Sequence, residues 1–245
     1  MIGMTAVTEH YERHLAPVYV WMAGGIEAAI GRGKAEIDAV CPNPSRGLAA
    51  VDLGAGFGMH AIPLARLGYS VTAVDSSHLL LEVLHSHVGT LSVRTIEDDL
   101  LSFRKHLKAK ADLILCMGDT VTHLPNRQAV EGLLADVAES LKAGGTFVST
   151  FRDYTAPLTG TARFIPVRSD TDRILTCFLE YADETVIVHD ILHERNGTVW
   201  QQRVSAYQKL RLSTEWITNV LRANGFSVRV EQGLGGMVRV VATAP

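Results

Sequence analysis

The sequence Gly-Ala-Gly-Phe-Gly at residues 54–58 is the feature that most constrains the fold of this chain. It follows an apolar run at residues 48–53 and precedes a helical pattern at residues 59–67. Glycines at such a strand-to-helix turn let the backbone bend tightly and approach a ligand closely. Asp75 ends the next apolar run, where a carboxylate can accept hydrogen bonds from both hydroxyls of a ribose. Together these features predict an α/β domain that binds a nucleoside cofactor at the carboxyl ends of its strands.

Apolar runs and helical segments alternate along much of the chain. The predicted strands lie at residues 48–53, 71–74, 91–96, 113–117, 146–151, 226–230 and 237–242. Helices are predicted between them, for example at residues 126–141. Strands separated by helices are joined by right-handed crossovers in a mainly parallel sheet. The pattern therefore predicts a Rossmann-like α/β fold with a seven-stranded, mostly parallel sheet.

Two segments stand apart from this alternation. We predict that residues 156–212 form an antiparallel β insertion after the fifth strand, because β-rich runs and turn signals follow one another there. Ligands of open α/β sheets bind beyond the carboxyl ends of the strands, so this insertion is expected on the substrate side. Residues 8–40 predict an N-terminal helical cap, broken at Gly24-Gly25, with a polar end at residues 31–34. The whole chain, residues 1–245, is then a single domain.

The spacing of the glycines separates two candidate cofactors. A dinucleotide turn has the pattern G-x-G-x-x-G, whereas this chain has G-x-G-x-G, with Met59 at the place of the third glycine. Asp52, two residues before Gly54, adds a negative charge that does not suit a pyrophosphate but suits the free amino group of a sulfonium cofactor. The pattern favours S-adenosylmethionine over NAD. The alternatives are an NAD-linked oxidoreductase on the same fold and an S-adenosylmethionine-binding module without catalytic activity.

Three motifs are similar to those of the glycine N-methyltransferase group of class I methyltransferases. They are Asp-Leu-Ile-Leu-Cys-Met-Gly-Asp-Thr-Val-Thr-His-Leu-Pro at residues 112–125, the Gly144-Gly145 turn, and Phe-Arg-Asp-Tyr at residues 151–154. The resemblance covers residues 48–155 and, in layout only, the later insertion. It implies an S-adenosylmethionine-dependent methyltransferase acting on a small soluble acceptor, with N-methylation of an amine slightly favoured.

The chain departs from that group at two positions. Asp119 and Asp153 stand where the group has Asn, and both add negative charge near the expected acceptor site. A carboxylate-bearing acceptor is therefore disfavoured, unless a cation compensates. The candidates for that compensation are Arg152, Arg163 and Arg168.

The cofactor is expected to contact the ends of successive strands. Beyond the turn and Asp75, either Asp98 or Asp99 could meet the adenine amino group, or both could belong to a solvated acidic loop. Met117 and Gly118 could line the methionine portion, and Tyr11 could close over the cofactor. The predicted cofactor-binding residues are Tyr11, Asp52, Gly54, Ala55, Gly56, Asp75, Ser76, Asp98, Asp99, Met117 and Gly118.

Methylation of an amine or hydroxyl also releases a proton. The candidate catalytic residues are His123, Asp153, Tyr154 and Tyr207, all expected near the carboxyl edge of the sheet. His123 could equally be a loop histidine whose hydrogen bonds stabilise its own turn. His189 and His193 are four apart on a predicted strand and hence about 13 Å from one another, too far for one ion, so we predict no metal site.

Composition bears on the remaining partners. The net charge of -3, with scattered Lys and Arg, gives no electrostatic reason to expect nucleic acid. Residues 15–30 are mostly apolar, but they are too few for the roughly 20-residue span of a bilayer, and Glu27 interrupts them. Three widely spaced cysteines favour a reducing compartment. We therefore expect a cytoplasmic protein with a small-molecule substrate, no nucleic-acid or membrane partner, and a capacity to form homo-oligomers.

Overall fold

The computed structural model describes residues 10–41 and 47–245, without the side chain of Tyr11. A π-helical turn, Tyr11–Leu15, leads into the first helix. The helices are α1 (Ala16–Met22), α2 (Ile26–Val40), α3 (Ala61–Arg66), α4 (His78–Val88), α5 (Arg127–Ser140) and α6 (Thr214–Ala223). The strands are β1 (Ala49–Leu53), β2 (Ser70–Asp75), β3 (Val93–Glu97), β4 (Ala111–Cys116), β5 (Leu141–Phe151), β6 (Phe164–Ser169), β7 (Arg173–Tyr181), β8 (Thr185–Asn196), β9 (Val199–Leu210), β10 (Ser227–Gln232) and β11 (Val238–Thr243).

Seven strands form the central sheet in the order β10-β11-β5-β4-β1-β2-β3. All neighbours pair in parallel except β11, which runs antiparallel to both β5 and β10. The predicted Rossmann-like, mostly parallel sheet is thereby confirmed. The strand order reverses between β1 and β4, which is where ligands of open α/β sheets bind, beyond the carboxyl ends of the strands.

The sequence encodes helix starts through capping side chains. Ser77, Asn126 and Ser213 each accept a hydrogen bond from a backbone N–H in the first turn of α4, α5 and α6, respectively. Such caps satisfy donors that have no partner within the helix.

The bulk of the core lies on the two faces of the central sheet. One cluster includes Leu133 and Phe147, and the other includes Ile62 and Leu84.

Helix α2 ends at Val40, where the predicted N-terminal helical cap ends, and it continues without a break through the polar residues 31–34. Gly33 within this helix serves packing: a Cβ there would lie only 1.9 Å from the carbonyl oxygen of Met59. The glycine lets the helix touch the backbone just after the glycine-rich turn. Within residues 10–41 and 47–245, no helix has the length and hydropathy needed to cross a membrane.

A second, four-stranded antiparallel sheet lies between β5 and α6 in the chain, in the order β6-β7-β8-β9. Strand β6 contains Pro166, which is tolerated there because β6 is an edge strand. Strand β8 carries His189 and His193, as predicted for a strand. One face of this sheet packs on the N-terminal segment, where Leu15 and Val18 contact β7 and β8.

Candidate active site

The glycine-rich turn occupies the carboxyl end of β1, at the switch in strand order. Gly54, Gly56 and Gly58 all have positive φ, with values of 73°, 51° and 92°. A Cβ at Gly54 would lie 2.5 Å from Thr120 Cγ2, and a Cβ at Gly58 would lie 2.2 Å from Leu84 Cδ1. Two of the glycines are therefore required by close packing as well as by backbone conformation.

Asp75, at the end of β2, is fixed by two backbone donors. Its Oδ2 accepts a hydrogen bond from Gly56 N at 2.7 Å, and its Oδ1 accepts one from Ser77 N at 2.8 Å. Burial raises the pKa of this carboxyl, and the backbone hydrogen bonds oppose the rise. Each oxygen still has a lone pair that can accept a hydroxyl. The exposed Ser76 stands between these contacts.

Asp52, at the end of β1, is buried, with 1% of its surface exposed. Its Oδ2 has no hydrogen-bond partner among the described residues. Burial raises its pKa to about 6, the charge of His60 opposes this rise, and Asp75 adds to it. An unsatisfied carboxylate oxygen beside the glycine turn fits a cationic group of a ligand, because burying it unpaired costs free energy.

Asp98 and Asp99 both have partners within the chain. Asp98 accepts hydrogen bonds from Lys105 Nζ and His106 Nε2, each at 2.6 Å, and these bonds hold its pKa at about 2. Its N–H donates to the carbonyl oxygen of Asp75. Asp99 accepts from Leu101 N and so begins a 3-10 turn. Both carboxylates thus shape the loop beside Asp75.

Met117 and Gly118 follow β4 at the same edge. Met117 is buried, and Gly118 N donates to Thr150 Oγ1 of β5 at 2.8 Å. These contacts bring the ends of β4 and β5 together. The predicted contact of Tyr11 with the cofactor stays a prediction, because its side chain is outside the described structure.

A cluster of charged side chains surrounds Asp119, the residue after Gly118. Asp119 has a φ of 74° and is the non-glycine residue with positive φ in the described chain. It accepts hydrogen bonds from Arg152 N at 2.6 Å, from the Arg152 guanidinium, and from Lys209 Nζ at 2.9 Å. Burial alone would raise the pKa of Asp119, but Lys209 and Arg152 outweigh it and hold that pKa well below its usual range. The negative charge of Asp119 is therefore compensated by Arg152, one of the cations named from the sequence, and by Lys209 in addition.

Aromatic side chains surround the ammonium group of Lys209. Its Nζ lies 5.9 Å from the ring centroid of Tyr154 and 5.7 Å from that of Tyr207. His123 stacks on Tyr207 with 5.4 Å between ring centroids. Burial, followed by the charge of Lys209, lowers the pKa of His123 to about 3. The imidazole is therefore neutral at pH 7. Three of the four predicted catalytic side chains belong to this group.

Asp153, the fourth, has a different environment. Its carboxylate accepts hydrogen bonds from Thr155 N at 3.0 Å, from Thr214 N at 2.9 Å, and from both threonine hydroxyls. These contacts connect the end of β5 to the start of α6. The four hydrogen bonds give this carboxylate a structural role, and its catalytic role stays a prediction.

A second buried polar cluster links the N-terminal segment to the second sheet. His10 Nε2 lies 3.0 Å from Asp190 Oδ2, and its Nδ1 lies 2.7 Å from Ser205 Oγ. Asp190 also accepts a hydrogen bond from Cys177 Sγ at 2.8 Å. The rings of His10 and Tyr207 are 4.2 Å apart, so this cluster adjoins the aromatic group.

Comparison with known proteins identifies the domain that carries these residues. Residues 50–145 match a family model described as a methyltransferase domain. The match covers less than half of the chain, and it supports a class I, S-adenosylmethionine-dependent methyltransferase. The class expected from the glycine turn and from the motifs at residues 112–125 and 151–154 is confirmed.

Two curated relatives illustrate the range of the methyltransferase domain. The chain is 27% identical over 106 residues to the glycine/sarcosine N-methyltransferase of Aphanothece halophytica, covering 42% of this chain and 40% of that protein. It is 31% identical over 115 residues to the ubiquinone biosynthesis O-methyltransferase of Paramagnetospirillum magneticum, covering 46% and 44%. The alignments thus span less than half of the length of either relative.

The fold of the methyltransferase domain extends over nearly the whole chain. An S-adenosylmethionine-dependent methyltransferase from Clostridium acetobutylicum has a similar structure, with a TM-score of 0.75 over 96% of this chain and 98% of that chain. The two sequences are 16% identical. At that identity the similarity concerns the fold.

Several residues of the site were missed by sequence reasoning. They are Lys209, His10 and Asp190, which all lie outside the recognised motifs. Lys209 had a signal: it lies two residues after Tyr207 on a predicted strand and hence on the same face. His10 directly precedes Tyr11, but nothing local indicated its partner Asp190.

Proposed function

We propose that this chain transfers the methyl group of S-adenosylmethionine to a small soluble acceptor, with an amine nitrogen as the favoured nucleophile. The observation that carries the proposal is the buried, unsatisfied Oδ2 of Asp52 at the glycine turn. A sulfonium cofactor carries an α-ammonium group, and this oxygen can accept a hydrogen bond from it. A dinucleotide brings a pyrophosphate, which an unpaired carboxylate would repel.

Asp75 supports the same cofactor from the next strand. Each of its two oxygens accepts one hydrogen bond, from Gly56 N and from Ser77 N. The carboxylate therefore has a fixed orientation and still has lone pairs that can accept further hydrogen bonds. Two adjacent ribose hydroxyls suit such a group. The residues present therefore fit the cofactor at both its sugar and its amino acid portions.

When bound, S-adenosylmethionine supplies a methyl group on positively charged sulfur, which an in-line nucleophile can displace. The protein's task is to align the acceptor and exclude water, and alignment alone can contribute about 7–11 kcal/mol. The second sheet contributes Tyr207 and Lys209 beside Asp119, at the carboxyl ends of β4 and β5. This arrangement supports an enclosed acceptor site there.

The acceptor side combines hydroxyl, imidazole and aromatic groups. We propose Tyr154, Tyr207 and neutral His123 as the side chains that face the acceptor. Asp119 does not disfavour a carboxylate-bearing acceptor, because Lys209 and Arg152 neutralise it. The glycine/sarcosine N-methyltransferase relative favours an amine, and the ubiquinone biosynthesis O-methyltransferase relative represents the alternative of an oxygen acceptor.

Two measurements test the proposal. In isothermal titration, S-adenosylmethionine and S-adenosylhomocysteine should bind and NAD should not; the reverse result would favour the oxidoreductase. Formation of S-adenosylhomocysteine is then followed with a panel of small amines, phenols and thiols. Turnover is expected with an amine. Turnover with phenols alone would contradict the proposal that an amine nitrogen is the nucleophile. No turnover across the panel would favour a non-catalytic binding module.

A further inference from the structure

The imidazole of His10 is held by two neighbouring strands of the second sheet. Its Nε2 lies 3.0 Å from Asp190 Oδ2 on β8, and its Nδ1 lies 2.7 Å from Ser205 Oγ on β9. His10 and Asp190 are 3% and 2% exposed. Asp190 and Ser205 are register partners across the two strands. The two hydrogen bonds therefore define both the place of the imidazole ring and its rotation.

Asp190 is itself fixed on its other oxygen. Its Oδ1 accepts a hydrogen bond from Cys177 Sγ on β7 at 2.8 Å. Because each carboxylate oxygen has its own partner, the group that accepts from His10 has a defined orientation. This buried carboxylate carries a desolvation cost that an apolar residue would avoid. A role in positioning accounts for that cost.

The ring of His10 contacts Tyr207, one of the side chains proposed to face the acceptor. Their ring centroids are 4.2 Å apart, with 34° between the planes. His123 stacks on the same tyrosine at 5.4 Å, and Lys209 Nζ lies 5.7 Å from its ring centroid. Neighbours in a close-packed interior restrict the side-chain rotations of a tyrosine. A chain of direct contacts thus leads from Asp190 through His10 to the Tyr207 ring.

The segment that carries His10 also contacts the glycine-rich turn. Tyr19 on α1 packs edge-on against Phe57 of that turn, with 5.8 Å between ring centroids. Between these two contacts, Leu15 and Val18 pack on the second sheet. Residues 10–19 therefore connect the proposed cofactor turn to the proposed acceptor side.

We propose that His10 and Asp190 are positioning residues that hold the Tyr207 ring so that its hydroxyl can form a hydrogen bond with the acceptor. This inference rests on the proposed function and deepens it, because it assigns part of the acceptor site to the N-terminal segment. Asp190 acts on His10 through a hydrogen bond, and His10 acts on Tyr207 through ring contact. Neither positioning residue needs to touch the acceptor itself.

A double-mutant cycle tests whether His10 acts through Tyr207. Turnover is measured with the amine of the panel that is methylated fastest, for the wild type, His10→Gln, Tyr207→Phe and the double variant. His10→Gln retains an N–H donor for Asp190 but lacks the ring, and it should lower kcat/KM about tenfold. The affinity for S-adenosylhomocysteine should stay within about twofold of the wild type. In the Tyr207→Phe background the same substitution should lower kcat/KM less than about twofold, because the hydroxyl that it positions is absent.

A second measurement needs no turnover. The protein is labelled with fluorotyrosine, and the fluorine resonance of Tyr207 is assigned by its absence from Tyr207→Phe. This resonance should move or broaden in His10→Gln and in Asp190→Asn. It should stay in place in the matched controls, His193→Gln and Asp183→Asn. His193 lies three residues after Asp190 on β8 and hence on the opposite face, and Asp183 is exposed between β7 and β8.

Additive losses in the cycle would overturn the inference, because His10 would then act independently of Tyr207. An unchanged Tyr207 resonance in both positioning variants would also overturn it, and Asp190→Asn provides this readout even if His10→Gln does not fold. Equal losses of S-adenosylhomocysteine affinity and of turnover would indicate a merely structural role and overturn it as well. A wild type that methylates no member of the panel would instead contradict the proposed function, and the fluorine measurement would still decide whether His10 and Asp190 position Tyr207.

Discussion

Lys209 donates a hydrogen bond to Oδ2 of Asp119 at 2.9 Å and thereby joins two sheets that are far apart in the chain. Lys209 lies on β9 of the antiparallel sheet, and Asp119 lies in the loop after β4 of the central sheet. Both side chains are buried. The bond places a buried charged contact at the junction of the central sheet and the antiparallel sheet.

Replacing Lys209 by Met should destabilise the fold strongly. The variant leaves the buried Asp119 with Arg152 as its remaining cation, and breaking a buried pair costs about 3 kcal/mol or more. The free energy of unfolding in guanidinium chloride measures this loss. Lys142→Met is the control, because its exposed pair with Asp112 should contribute less than about 1 kcal/mol. Equal effects of the two substitutions would contradict the importance of the buried bond.

The contribution of Asp119 should depend on pH in a defined direction. Its pKa in the folded state is lowered, since Lys209 and Arg152 outweigh the effect of burial. Such a group stabilises the fold above its unfolded pKa of about 4 and loses that effect as the pH falls. The difference in unfolding free energy between the wild type and Asp119→Asn should therefore narrow from pH 7 to pH 3. A constant difference over this range would exclude the lowered pKa.

Asp75→Asn should weaken the binding of S-adenosylhomocysteine without unfolding the protein. Two hydrogen bonds from ribose hydroxyls to a charged acceptor, at about 1.5 kcal/mol each, correspond to roughly a 100-fold loss of affinity. Isothermal titration measures it. Glu97→Gln is the matched control, because Glu97 is the exposed register partner of Asp75 on β3. Comparable losses of S-adenosylhomocysteine affinity in both variants would show that the loss of one negative charge, and not the loss of the ribose contact, is responsible.

Asp153→Ala tests whether this carboxylate is structural. Its hydrogen bonds to Thr155 and Thr214 hold the start of α6, and losing a cap of this kind costs about 1–2 kcal/mol. We expect a lower melting temperature and an S-adenosylhomocysteine affinity within about twofold of the wild type, since the carboxylate of Asp153 is hydrogen-bonded to Thr155 and Thr214. Loss of turnover in a fully folded variant would instead support the catalytic role suggested by the sequence.

The cofactor side of the site could be predicted because its determinants are local. The glycine turn, Asp52 and Asp75 belong to two consecutive strand ends, and the alternation of strand and helix brings those ends to one edge. The acceptor side depends on pairings between distant segments. Neither the bond between Asp119 and Lys209 nor that between His10 and Asp190 could be inferred from spacing, because sequence periodicity does not specify how the second sheet packs on the first.

Two details of the fold depend on tertiary packing. Gly33 lies inside a continuous helix, where its absence of a side chain allows contact with Met59. Pro166 lies in β6, and a proline is compatible with a strand only at an edge, which is a property of the assembled sheet. Neither detail follows from local propensity.

The contact between Gly33 and Met59 also bears on how this protein could be divided or recombined. The region that matches the methyltransferase family begins at residue 50, yet the backbone after its glycine turn rests on a helix that ends at Val40. A chimera that takes the turn from this protein and the N-terminal helix from another would place a Cβ against a carbonyl oxygen unless the donor also has glycine there. The two segments therefore form one inheritable unit, and exchange between related enzymes should preserve them together.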